Sequence, residues 1–347
     1  MLNLAGSVLH SKEISMRLDW SAFLKVLNES KRVVLTSHVR PDCDALGSEL
    51  GMAGILEAVG KDVRIVNAQE TPVNLQWIDP KQKLESLAQG VTPADLDDRD
   101  LLIVLDTSAW AQLGAMGEVL KRRRERVVVV DHHVSEDDLS DRWFKDTTAE
   151  ATARIVYEIG LRLRVPLTES IATPLYAGLS TDTGGFRFPS ASGETFRVAA
   201  RLVDAGASPP FIYRELFEQD TLARLHLVGR TLAGAQTFNN GSCILSTVRQ
   251  SDIKEVGASP ADTEDLINLT LAVKGTQLAA IMIEQPDKRV KLSFRSRGAA
   301  DCSALAGHFG GGGHKAAAGA ITTGAFDDIE RQVTEAVDAA WHALQPA

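Results

Sequence analysis

Several short apolar runs in this chain each end on a carboxylate or an imidazole, and this pattern restricts the fold more than any other feature. Arg32-Val33-Val34-Leu35-Thr36-Ser37 leads into His38-Val39-Arg40-Pro41-Asp42-Cys43-Asp44. Leu101-Leu102-Ile103-Val104-Leu105 delivers Asp106, and Val127-Val128-Val129-Val130 delivers Asp131-His132-His133. Continuous apolar runs of this length read as strands buried on both faces, as in a parallel sheet covered by helices. In such sheets, groups at the carboxyl ends of the strands converge on one crevice. The pattern therefore predicts an α/β protein with a doubly wound, mainly parallel sheet.

The rest of the first half supports that architecture. Residues 45–56 read as a helix whose small residues suit close packing on a sheet, with Gly60 as its C-terminal cap. Residues 63–66 follow as a strand, and residues 148–164 and 168–180 as two helices. The second helix leads to Ser180-Thr181-Asp182-Thr183-Gly184-Gly185. Residues 193–235 are largely helical, broken by the turn cluster Gly206-Ala207-Ser208-Pro209-Pro210, and read as a connector. Beyond them, strands at 242–249, 278–284 and 290–296 mix with helices near 262–273 and 325–343. The expected organisation is a catalytic domain over 15–192, a helical connector over 193–235 and a smaller α/β domain over 236–345. A chain of 347 residues is long enough for two cores.

Composition removes several function classes. No apolar run is long enough to span a bilayer. Met1 to Met16 lacks an apolar core followed by a cleavage site, so no secretory leader is read there. Three widely spaced cysteines without a CxxC pair point to a reduced, cytoplasmic setting and no structural zinc. The net charge of -9 argues against a long-duplex binder, which usually presents a broad basic face. It leaves room for a short anionic substrate, because bound cations reverse the local sign of an acidic site. The basic run Lys121-Arg122-Arg123-Arg124-Glu125-Arg126 sits where a helix ends and reads as a solvated face.

Imidazoles and carboxylates at several independent strand ends suit hard or borderline divalent ions, and shared carboxylates suit two of them. Asp42 and Asp44 lie just past a strand, where one loop turns both toward the crevice, and His38 stands at its mouth. His132 and His133 are adjacent, so on extended backbone they cannot share one direction. One can ligate while the other faces substrate. These residues point to a two-metal phosphoesterase.

The ordered motifs resemble those of the DHH–DHHA1 phosphoesterases, and in particular the oligoribonuclease/pAp-phosphatase branch often called nanoRNases. The matching segments are Ser37-His38-Val39-Arg40-Pro41-Asp42-Cys43-Asp44-Ala45-Leu46-Gly47-Ser48, Val104-Leu105-Asp106-Thr107-Ser108, Val130-Asp131-His132-His133 and Gly178-Leu179-Ser180-Thr181-Asp182-Thr183-Gly184-Gly185-Phe186-Arg187. Phe294-Arg295-Ser296-Arg297 and Gly310-Gly311-Gly312-Gly313-His314-Lys315-Ala316-Ala317-Ala318-Gly319 complete the set. Cys43 stands where this family mostly has glycine, and a thiol between two ligands is a candidate for oxidation.

The resemblance implies His38 and Asp42 on a first ion, Asp44, His132 and Asp182 on a second, and Asp106 bridging them. It implies two manganese ions, with magnesium or cobalt as substitutes. Imidazole among the ligands favours manganese over magnesium. Asp131 is then expected to orient a histidine through its ring N–H. A shared water, acidified by both ions, supplies the attacking hydroxide, and His133 binds the phosphoryl oxygen or protonates the leaving oxygen. The implied substrates are very short single-stranded RNA, dinucleotides and adenosine 3′,5′-bisphosphate (pAp). A homodimer is the family habit.

By composition alone the glycine run is a flexible turn; by resemblance Gly312, Gly313 and His314 belong to a backbone nest that meets phosphate. Arg295 carries the fork suited to a terminal phosphate, and Arg297 reads as a surface charge. Ser303 and His308 are further contacts by position only, since Ser303 could equally cap the helix after it. Arg187 has two readings, a partner for a carboxylate or a neutraliser of substrate phosphate. Phe186 and Phe188, on either side of it, read as core.

Overall fold

The structure, a computed structural model, describes residues 19–134, 137–298 and 300–344. The segment read for a leader, the first positions of the domain begun at residue 15 and Gln345 at the end of the second domain lie outside the described residues. The chain divides into two units between Gln219 and Asp220, within the helical stretch read as a connector.

The first unit runs α1 (Trp20–Glu29), β1 (Arg32–Thr36), α2 (Cys43–Ala58), β2 (Asp62–Asn67), β3 (Leu84–Ser86), β4 (Leu101–Leu105), α3 (Met116–Lys121), β5 (Val127–Asp131), β6 (Trp143–Lys145), α4 (Thr152–Arg162), α5 (Glu169–Asp182), α6 (Gly193–Asp204) and α7 (Pro209–Phe217). Its sheet has the order β3-β2-β1-β4-β5-β6, and every pairing is parallel. Strand alternation divides the core between the two faces. Val33, Leu35, Ile103, Leu105, Val128 and Val130 pack with α1, α2, α4 and α5. Val34, Leu102, Val104, Val127 and Val129 pack on the other face with Met116, Val119 and Leu120 of α3.

Helix α2 is buried over most of its length. Glycine makes that burial workable: a Cβ on Gly47 would lie 2.3 Å from the Pro174 carbonyl oxygen of α5. A Cβ on Gly178 would lie 2.7 Å from Asp44 Oδ1, so this close helix pair brings the start of α2 against the later turns of α5. The expected strands and helices are present with small shifts of boundary. The sequence reading missed β3 and β6, which have three residues each and are too short to show a period.

The second unit runs α8 (Leu222–Ala233), β7 (Gln236–Phe238), β8 (Cys243–Val248), α9 (Gln250–Val256), α10 (Leu266–Leu271), β9 (Leu278–Glu284), β10 (Val290–Ser296), α11 (Cys302–Gly307), β11 (Gly312–His314), β12 (Ala317–Thr322) and α12 (Phe326–His342). Its sheet order is β11-β12-β10-β9-β8-β7, antiparallel except for the parallel pair β8–β9. One face packs on α11 and α12 through Leu278, Ala280, Met282, Leu292 and Phe294. The other carries Ile244, Ala279, Ile281 and Ile283 against α8, α9 and α10.

Three expectations need correction here. The glycine run is a turn at Gly310 only, and its second half is an edge strand: Gly312–His314 pairs with β12. Glycine is required there because a Cβ on Gly313, at φ 147°, would lie 2.7 Å from Ala318 Cα. Phe188 is 46% exposed and not core, whereas Phe186 packs on the main core. Ser303 does not cap α11; Asp301 Oδ1 accepts from the Ala304 N–H at 3.0 Å instead. The basic run is largely solvated as expected, and it also carries ion pairs, Arg123 on Asp97 and Arg124 on Asp138.

Candidate metal centre and phosphate-binding face

The carboxyl ends of β1, β4 and β5 bring His38, Asp106 and His132 together, and the paired helices add Asp44 and Asp182. Asp42 caps α2: its Oδ1 accepts from the N–H groups of Asp44 and Ala45 at 3.0 Å each. Asp44, in the first turn of α2, is fully buried and accepts from Thr152 N–H (2.7 Å) and Ala153 N–H (2.9 Å) at the start of α4. That helix N-terminus is a ready partner for a carboxylate. Asp106 follows β4 with φ 61°, a left-handed conformation that non-glycine residues rarely hold. Its N–H donates to the Val130 carbonyl, and its Oδ1 accepts from the Thr152 hydroxyl at 2.9 Å. Thr152, which the sequence reading passed over, thus anchors both Asp44 and Asp106.

Candidate ligand atoms fall into clusters. His38, Asp42 and Asp106 form one; Asp44, His132 and Asp182 form a second; Asp106 also groups with His132 and His133. Asp106 stands between the first two, with Oδ2 3.6 Å from His38 Nε2 and Oδ1 3.5 Å from His132 Nε2. The first cluster holds His38 and Asp42 together with Asp106, and the second holds Asp44, His132 and Asp182 without it.

Both inner histidines have one nitrogen engaged and the other turned inward. His38 Nδ1 lies 3.0 Å from the Val39 carbonyl oxygen and His132 Nδ1 3.2 Å from that of Ala149. A carbonyl only accepts, so each Nδ1 carries a proton and each Nε2 points at the carboxylates, where it donates to them when protonated and offers its lone pair to a cation when the proton is displaced. His132 Nε2 is buried without a hydrogen-bond partner, although Asp182 Oδ2 lies 3.1 Å away out of alignment. A buried, orphaned ring nitrogen among carboxylates fits a site for divalent cations.

The electrostatics agree. Burial pushes the Asp44 carboxyl well above the usual range, and the charges of Asp106 and Asp182 add to it. Burial also raises Asp106, against the hydrogen bond from His38. Burial opposes charge on His38, yet Asp106, the Val39 carbonyl and Asp42 carry it up to about 9. Burial opposes charge on His132 too, and Asp182 and Asp106 carry it up to about 9. So much negative charge in one buried place calls for cations.

His133 differs. Its half-exposed ring has Nδ1 2.8 Å from Asp131 Oδ1, and that hydrogen bond raises its pKa. Asp131 is fully buried; burial pushes it up, but the hydrogen bonds of His133 and Ser108 bring it below the ordinary value. Arg187 is exposed, with its guanidinium 5.5 Å from the Phe188 ring centroid, and no ion pair is found for it among the described residues. Cys43, a candidate for oxidation by position, is 2% exposed, and burial pushes its thiol far up, which disfavours the reactive thiolate.

In the second unit, register collects the expected phosphate ligands. Arg295 pairs with Ala317, and Ala317 pairs with His314. Residues in register share a face, so Arg295 and His314 lie on one side, two strand spacings (about 10 Å) apart. That side is opposite to buried Phe294, beyond the strands that α8, α9 and α10 cover. Arg295 is half-buried, and Gly312, Gly313, His314, Arg297 and His308 are exposed.

Comparison with known proteins gives the family. Residues 32–179 match the N-terminal domain model of the DHH family, and residues 240–345 match the DHHA1 domain. The bifunctional oligoribonuclease and PAP phosphatase NrnA of Thermus thermophilus is 31% identical over 88% of this chain and 89% of its own length. The cyclic-di-AMP phosphodiesterase PdeA of Listeria monocytogenes is 25% identical over 94% of this chain, which spans 50% of that protein. Among solved structures, an exopolyphosphatase-related protein from Bacteroides fragilis superposes with a TM-score of 0.83 at 24% identity, over 93% of this chain and 95% of that one. Exonuclease RecJ bound to manganese superposes with a TM-score of 0.51 at 16% identity, over 94% of each chain. The two domain matches and the similarity to the Thermus protein show that the chain belongs to the DHH family, with a DHHA1 domain following the DHH domain.

Proposed function

We propose that this protein is a manganese-dependent phosphohydrolase that degrades very short RNA and removes the 3′-phosphate of pAp. The observation that carries this reading is the pair of adjacent ligand clusters, His38–Asp42–Asp106 and Asp44–His132–Asp182, at the carboxyl edge of the parallel sheet, with Asp106 Oδ1 3.5 Å from His132 Nε2 of the second. His38, Asp42 and Asp106 would hold one cation, and Asp44, His132 and Asp182 the other, with Asp106 common to both. When bound, such a pair supplies an acidified water for attack on phosphorus and neutralises the phosphate. Asp131 holds Nδ1–H of His133 and favours the protonated ring, whose Nε2–H can then donate to a phosphoryl oxygen or pass its proton to the leaving oxygen. Arg295 and His314, sharing one sheet face, bind the far phosphate of a short nucleotide, and exposed Arg187 offers further positive charge.

A second reading, linear or cyclic dinucleotide phosphodiesterase, is favoured by the similarity to the Listeria enzyme. A panel of pAp, pApA, pGpG, cyclic di-AMP and RNA of two to five residues, each with manganese or magnesium, separates the two. The proposal expects the highest kcat/KM on pAp and the shortest RNA, with manganese. Preference for cyclic di-AMP would replace it with the second reading, and full activity after chelation would overturn both.

A further inference from the structure

Lysine is almost never fully buried unless it is paired. Lys145 is the last residue of β6, at the edge of the parallel sheet, and its side chain is only 9% exposed. It stands in direct register with Asp131 of β5, so the two side chains leave the sheet on the same side. Its Nζ lies 3.0 Å from Ser108 Oγ and 3.6 Å from Asp131 Oδ2. Trp143, two residues earlier on the same face, places its ring 5.9 Å from the ammonium. Ser108 in turn donates its hydroxyl to Asp131 Oδ2.

The two oxygens of Asp131 therefore have separate duties. Oδ1 accepts from the His133 backbone N–H at 3.1 Å and from its ring Nδ1 at 2.8 Å. Oδ2 is held by Ser108 and Lys145. Donors on both sides prevent the carboxylate from turning about its Cβ–Cγ bond. The hydrogen bond that orients the His133 ring runs through this carboxylate, and half of the ring faces solvent. The inner ligand atoms are anchored elsewhere: His132 on the Ala149 carbonyl, Asp106 on Thr152, and Asp44 on the start of α4.

We propose that Lys145 is a positioning residue that acts through Asp131, with Ser108, to fix the tautomer and orientation of the His133 imidazole. This rests on the reading of His133 as the imidazole that serves the substrate phosphate. Removing the ammonium leaves a buried carboxylate short of a donor and free to turn, and the ring turns with it.

The test is a double-mutant cycle on the full-length, manganese-loaded protein with pAp as substrate, using Lys145→Met, Lys145→Arg, His133→Ala and the Lys145→Met/His133→Ala pair. Lys145→Met is expected to lower kcat about 10- to 100-fold, with KM within about twofold and manganese content unchanged. Lys145→Arg should restore most of the rate, and the double variant should be no slower than His133→Ala alone. Imidazole nitrogen NMR of the metal-free protein at alkaline pH gives a readout independent of turnover. One His133 tautomer, protonated at Nδ1, is expected in the parent, and an averaged pair in Lys145→Met. Ser108→Ala, which frees the same carboxylate oxygen, should repeat the pattern more weakly and replaces Lys145→Met if that variant does not fold. Equal losses in the presence and absence of His133, loss of manganese, or an unchanged tautomer would overturn the proposal. Failure of the underlying reading shows separately, as near-parental turnover in His133→Ala alone.

Discussion

The two units handle charge in opposite ways. In the first, the charged groups sit at the ends of buried parallel strands, and Asp44, Asp106 and Asp131 are all nearly or fully removed from solvent. In the second, the candidate phosphate ligands lie on an open sheet face and an edge hairpin, with Gly312, Gly313 and His314 exposed. Burial makes each charge in the first unit costly unless partnered, and it also holds each group in one geometry. Exposure in the second unit asks less of the fold and allows a face to accommodate nucleotides of several shapes. Under the proposed function, the contrast is between a preorganised reaction centre and an adaptable grip.

If that contrast holds, the largest effect comes from Asp106→Ala. Asp106 stands between the two ligand clusters and is proposed to serve both ions, so activity on every substrate should fall by about three orders of magnitude or more, with manganese lost in parallel. Metal analysis beside turnover decides it; a metal-replete variant with near-normal turnover would remove Asp106 from the centre.

His133→Ala should come next and differ in kind from His132→Ala. The His133 variant is expected to keep its metal and lose about two to four orders of magnitude in rate, whereas the His132 variant loses metal. Single-turnover rates together with metal content distinguish them, and metal loss in both would place His133 among the ligands.

Across the comparison, Arg295→Ala and His314→Ala should mainly raise KM for pAp and short RNA, by about 10- to 100-fold, with less change in kcat. Hydrolysis of bis-p-nitrophenyl phosphate, which has no distant phosphate to hold, should change far less. Equal losses on the generic ester and the nucleotides would take these residues out of the grip.

The smallest effect sharpens the account of burial. Glu49 is fully buried near β1 and β2; burial pushes its carboxyl up to about 7, against a hydrogen bond from Asn67. Asn67 in turn accepts from the Ser37 N–H at 3.0 Å, beside His38. A raised carboxyl pKa means that ionisation weakens the fold, beginning above the ordinary 4.5 and reaching its full extent above about 7. Glu49→Gln should therefore stabilise the metal-free protein by about 1–3 kcal/mol at pH 8, shrinking toward zero near pH 4. Denaturant titrations at the two pH values measure the difference, and a uniform gain or a loss at pH 8 would contradict it.

The chain itself determined the parallel sheet and most of the reaction centre. Four or five consecutive buried apolar residues followed at once by a carboxylate or imidazole form a local pattern, and strand ends converge wherever such strands pair in parallel. His38, Asp42, Asp106 and His132 were legible for that reason, while Asp182 came from its motif. The short edge strands were not, because three residues carry no period and are defined by the neighbour they pair with. For the same reason nothing in the sequence singles out Lys145, and the glycine run looks like a turn. Only the tertiary structure decided that Lys145 meets Asp131, that Arg295 and His314 share a face, and that Thr152 pins Asp44 and Asp106 from more than a hundred and from forty-six positions away. It also decided that Phe188 is exposed and Cys43 sealed. Such partnerships depend on register and helix packing between distant segments, which no stretch of sequence records by itself.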